Sequence, residues 1–152
     1  MIEVEFDSNA KELSVFMKSA NDKLDIMTVP LKKTGIYMLG SIDKNFRYEG
    51  RPDKWAPLKP ATISARRKKG GGAKILQNTG RLKQDINPKY TPFSVSIGTN
   101  VEYGKFHQFG APRENIPKRR FLMFQESDKK TINRIFKDHV KDSFNKAVMF
   151  KG

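Results

Sequence analysis

The chain has 152 residues, no cysteine and a net charge of +14; that length fits one domain burying about 70% of its unfolded surface, and 37% hydrophobic residues are too many for a disordered chain. The lack of cysteine excludes disulfides, thiolate metal sites and cysteine nucleophiles, and no apolar run approaches the ~18 residues of a membrane span. The charge is central: residues 51–125 hold 16 Lys and Arg against 4 Asp and Glu, a net of +12, whereas residues 1–50 hold 7 against 8.

From the start, Ile2, Val4 and Phe6 alternate with Glu3 and Glu5, the period of a strand with one wet face. Asp7 or Ser8 can cap a helix to about Met27, because Leu13, Phe16, Met17, Ala20 and Leu24 recur at three- and four-residue steps. Pro30 suits the first turn of a second helix with Leu31, Met38, Ile42 and Phe46 on one side, and the two helices are expected to pack together. Residues 54–74, "KWAPLKPATISARRKKGGGAK", read as a long flexible basic arm with a short helix expected at 62–69. A turn at 78–80 beside a short helix follows, then a strand in which Phe93, Val95 and Ile97 alternate with Ser94 and Ser96.

Residues 101–110, "VEYGKFHQFG", read as a helix that sets Val101, Lys105 and Gln108 apart from Tyr103, Phe106 and Phe109, with Gly110 as its stop. "FLMF", residues 121–124, reads as a buried strand. Ser127 or Asp128 can then cap a long helix to about Phe150, with Ile132, Ile135, Phe136, Val140, Phe144, Ala147 and Val148 at helical spacing. The order of elements makes one α+β domain over 1–152, a small mixed or antiparallel sheet packed against long N- and C-terminal helices.

Chemistry is sparse. His107 and His139 are the only imidazoles and stand in no metal-ligand spacing, so His107 is expected to be a packed side chain and His139 to lie on the surface of the last helix. Asp22 with Asp25, and Asp138 with Asp142, read as solvated helix faces. "GGGAK" lacks the frame of a phosphate-binding loop. No nucleophile, base and orienting group converge, and a small nuclease or toxin is rejected on the same ground. The reading is of a protein without catalytic residues, cofactor or metal, and not an enzyme.

What is ordered is a series of short motifs: "WAPL" from Trp55, Thr62, "RRK" from Arg66, "ILQNTGRL" ending Thr79, Gly80, Arg81 and Leu82, "VSIGTNVEYGKFHQFG" from Val95 through Gly98 to Gly110, and "IPKRRFL" with Pro117 and Phe121. Over roughly residues 30–125 this resembles the phage virion morphogenesis family, the tail-completion proteins and protein G-like neck proteins of Mu-like and other tailed phages and prophages. Relatives favour a small residue and a proline in the last block, where this chain has Lys118 and Arg120. The resemblance implies a fold signature in which Tyr103, Phe106 and Phe109 cross the core, each burial contributing about 1.5–3 kcal/mol. Gly98 and Gly110 would then permit turns, and His107 would be a packing or interface residue.

It further implies a non-enzymatic virion component assembled in the bacterial host cytoplasm, a ring, often hexameric, at the head–tail junction or tail end. Its partners would be copies of itself, other phage neck, head or tail proteins and genome DNA in the ring lumen, with no membrane. Arg66, Arg67, Lys68 and Lys69 on the arm, and Arg113, Lys118, Arg119 and Arg120 on the loop, are the expected partner- or DNA-facing cations. The alternative is a nucleic-acid-binding protein without sequence preference, whose basic centre is its whole function.

Overall fold

The computed structural model describes residues 2–5 and 23–149. Strand β1 spans Ile2–Glu5, helix α1 Lys23–Arg47, α2 Pro60–Lys68, α3 Arg81–Gln84, β2 Asn87–Tyr90, β3 Val95–Thr99, α4 Gly104–Phe109 and α5 Glu126–Met149. Both pairings of the sheet are antiparallel in the order β1-β3-β2, with Val4 opposite Ile97 and Pro88 opposite the same residue from the other side. The fold is therefore α+β with an antiparallel sheet. A helix from Asp7 or Ser8 falls largely outside the described residues.

Helix α1 is the spine, packed against β2 and β3 on one side and α5 on the other. Leu31, Met38, Ile42 and Phe46 are all buried, as their spacing predicts. The expected end near Met27 and fresh start at Pro30 are corrected: one helix runs through Pro30 unbroken from Lys23. An interior proline loses one backbone hydrogen bond and crowds the preceding turn, at about 3 kcal/mol. Here the ring is fully buried between the buried Met27 and Leu31, and that packing offsets the cost.

Strand β3 is buried along its whole length, with Val95 and Ile97 in the core. Strand β2, "NPKY", carries no apolar alternation and was invisible to periodicity; Pro88 is tolerated because β2 is an edge strand. The core closes where Phe46 meets Trp55 edge-on at 5.7 Å and Phe121 at the same centroid distance.

Residues 121–124 form no strand, correcting the sequence expectation. Phe121 and Leu122 are nevertheless buried, so their backbone groups need partners that no sheet supplies. Side chains provide them: Asn45 Nδ2 donates to Phe121 O at 2.9 Å, Trp55 Nε1 donates to Arg120 O at 3.1 Å, and Gln108 serves the rest.

A second polar knot ties α5 to α1. Asp128 Oδ2 accepts from the backbone N of Gln125 at 2.8 Å, so the third residue of the helix reaches back to the residue before it. The same carboxylate, 1% exposed, accepts from Tyr37 OH and Ser41 Oγ, each at 2.9 Å. Asp128 does serve the helix start as expected, but from inside the helix.

Candidate interaction surface

The basic arm is not irregular throughout. Trp55 roots its near end in the core, and Ile75 and Leu76 are buried just beyond its far end. Between them α2 is a nine-residue helix with Pro60 in its first turn and no buried residue. Arg66 folds back to donate to Gly72 O and Lys74 O, while Arg67, Lys68 and Lys69 are exposed. Arg113, Lys118 and Arg120 on the later loop are exposed too.

Arg119 does not belong with them. It is 6% exposed, and its guanidinium donates to Ala56 O at 2.9 Å and Pro57 O at 3.2 Å, binding the loop to the root of the arm. Burial, and then Arg66, lowers its pKa. Its expected place on a partner-facing surface is thus corrected: a fork matched to two carbonyls is a structural clamp. Among the described residues the ion pairs are Arg47 and Lys83 with Asp43, and Lys129 with Glu126. The cations of α2 and of the 113–120 loop have no carboxylate within pairing distance among the described residues.

The signature block is helical only over Gly104–Phe109 and faces the other way from the expectation, and Lys105, expected to share a face with Val101 and Gln108, is exposed with the aromatics. Val101, Gly104 and Gln108 are buried, whereas Tyr103 is 40%, Phe106 38% and Phe109 67% exposed. The aromatics therefore do not cross the core. The physical reason is the strandless segment at Phe121 and Leu122. Gln108 Oε1 accepts from both of their backbone N–H groups, at 3.1 and 3.0 Å, and Nε2 donates to Leu122 O at 2.7 Å. Leaving three buried backbone groups unpaired would cost about as much as fully exposing three rings, and the rings stay partly covered where they are, so pairing the backbone decides the facing. The rings form an outward stripe, with Lys105 Nζ 5.2 Å above the centre of Phe106.

The other signature residues fall into place around this. Leu82 and Phe121 are buried, Thr79, Arg81 and Pro117 are exposed, and Gly80 precedes α3 in left-handed backbone at φ 77°. Gly110 ends α4 at φ 81°, and a side chain there would press on the backbone of Lys118 at 3.3 Å. Gly98 does not turn the chain; it sits inside β3 opposite Asn87.

His107 is half-buried, stacked edge-on to Tyr103, with Nδ1 buried and without a hydrogen-bond partner among the described residues. His139 is half-buried as well, so it is not the surface residue expected. Desolvation first, then Arg119 and Arg66, hold the His107 pKa below its ordinary value. The unfolded chain thus takes up a proton that the folded one resists. Its contribution to stability is complete above about pH 6.5 and is lost as pH falls toward the lowered folded value. Melting temperature should decline on acidification from pH 7 to 5, and His107→Gln should flatten that slope; an unchanged slope in the variant would refute the assignment.

Among the described residues no group of three or more His, Cys, Asp or Glu could hold a metal ion, and no helix is long and apolar enough to cross a membrane. Sequence comparison matches residues 8–141 to the phage virion morphogenesis family. The chain is also 26% identical over 144 residues to Mu-like prophage FluMu G protein 2 of Haemophilus influenzae, covering 91% of this chain and 96% of that protein. No solved structure matches.

Proposed function

This chain belongs to the phage virion morphogenesis family, and from that premise we propose that it is a non-enzymatic component which assembles as a ring at the head–tail junction or tail end. The observation that carries the reading is the family match across most of the chain, reinforced by a Mu-like prophage relative matched over 91% of this chain and 96% of its own. Two surface features support it. An outward aromatic stripe is the kind of patch that marks a protein contact, and an exposed helix ending in Arg66, Arg67 and Lys68 suits a polyanion or an acidic neighbour.

In this reading the exposed part of the arm, residues 59–74, docks on a neighbouring subunit, on another neck, head or tail protein, or on DNA passing through the ring. A ring of strongly positive subunits repels itself, and such contacts relieve that repulsion. Assembly takes place in the bacterial host cytoplasm.

Light scattering across protein concentration at moderate salt tests the proposal. A closed oligomer, or a monomer that closes into one on concentration, is expected. A strict monomer that gains mass only with duplex DNA would overturn it and favour nucleic-acid binding as the whole function. In that case contacts to 6–10 phosphates would make affinity fall about 10³–10⁵-fold between 50 and 200 mM salt.

A further inference from the structure

A cleft of about 250 Å³ lies between the turn after α1 and the loop before α5. Four cationic residues line it, Arg51, Lys54, Lys118 and Arg120, with Asp53 as the single carboxylate among the described lining residues; Arg51 is engaged by Ser41 and Asn45 and Lys54 by Tyr48 O, which leaves Lys118 and Arg120 for a ligand. Apolar groups from Pro52, Trp55 and Met123 complete the lining. We propose that this cleft docks an acidic peptide segment of another assembly protein, seating an apolar side chain against Trp55 and Met123 with carboxylates on Lys118 and Arg120.

The chemistry favours that occupant. The cleft is smaller than the ~300–1,000 Å³ of pockets that enclose a small molecule, so it suits a projecting piece of a longer chain. Duplex phosphates are met by protruding cations and gain nothing from a Trp, Met and Pro lining. A segment that alternates carboxylate and apolar side chains uses both. Lys118 and Arg120 have no carboxylate among the described ion pairs, and an incoming carboxylate would supply one. The net charge of +14 draws an acidic partner in from a distance.

The wall is also held ready. Arg51 Nε donates to Asn45 Oδ1, its terminal nitrogen to Ser41 O and Oγ, and its carbonyl accepts from Gln125 Nε2 at 3.0 Å. Trp55 is fixed through Arg120 O. Lys118 and Arg120 have no carboxylate partner among the described ion pairs, so they are available without breaking a contact. A preformed site loses less entropy on binding.

The proposal rests on the assembly reading only for the source of the segment, and the test separates the two. Trp55 is the only tryptophan, so its emission reports occupancy of the cleft directly. The full chain is titrated with a synthetic peptide of alternating glutamate and leucine, and with its glutamine counterpart. Saturable change in emission with the acidic peptide alone is expected. Lys118→Glu with Arg120→Glu should weaken it about tenfold or more, and the paired Gln variants should weaken it less. Arg67→Glu with Lys68→Glu on α2 should leave it nearly unchanged.

Equal binding of the neutral peptide, or equal loss in the α2 variant, would overturn the proposal. So would duplex DNA or inorganic phosphate producing the same Trp55 response with the same sensitivity to Lys118 and Arg120. A chain that oligomerises but ignores the peptide refutes the docking site alone. One that binds the peptide yet stays monomeric refutes the ring alone.

Discussion

Gln108→Ala is expected to lower folding stability by about 3–6 kcal/mol, a large part of the ~5–15 kcal/mol available to a domain of this size. Truncation strands the backbone N–H groups of Phe121 and Leu122 and the carbonyl of Leu122, all in a buried region. Each orphaned buried group costs about 1–3 kcal/mol. Gln108→Met separates the two contributions of the side chain, since it keeps the volume and removes the hydrogen bonds. If the bonds carry the effect, Met should be nearly as damaging as Ala in urea denaturation. A loss under about 1 kcal/mol in both variants would mean that the segment finds other partners, and the account of why α4 faces as it does would fail.

The same residue shows what could be read from the sequence and what could not. Gln108 does lie apart from Phe106 and Phe109, but Lys105, grouped with it by spacing, is exposed beside Phe106, and Val101 precedes the helix, so only part of the facing was legible. Which face turns inward was not, because hydrophobicity argues for the rings and the deciding demand lies elsewhere in the chain. That demand arises because "FLMF" looks like a strand yet pairs with none. A glutamine on the same face as Val101 was the one local clue. In α1, where Leu31, Met38, Ile42 and Phe46 answer only to burial, periodicity and structure agree.

Charge was legible in amount and position but not in role. Arg119 and Arg120 are neighbours of identical type, yet one clamps Ala56 and Pro57 from inside and the other borders an open cleft. Nothing in a run of "KRR" distinguishes them; a loop places alternate side chains on opposite sides, and only the root of the arm at Trp55 decides which side is the interior. The likeness to a family found the region, and tertiary contacts assigned the residues.

Asp128→Ala should cost about 3–4 kcal/mol and loosen the start of α5, since one carboxylate serves three donors. The backbone N of Gln125 would lose its cap, worth about 1 kcal/mol. The hydroxyls of Tyr37 and Ser41 would lose a charged acceptor in a buried setting, where such bonds contribute about 1.5–3 kcal/mol each before relaxation. Ser41 also accepts from Arg51, so the damage should pass to the turn that walls the basic cleft. A double-mutant cycle with Ser41→Ala reads this coupling, and Asp128 and Ser41 should lose clearly less together than the sum of their separate losses. Hydrogen exchange at residues 126–132 should accelerate in Asp128→Ala more than exchange in β3. If exchange rises equally everywhere, or the cycle is additive, α5 is held to α1 by its apolar residues alone and the polar knot is incidental.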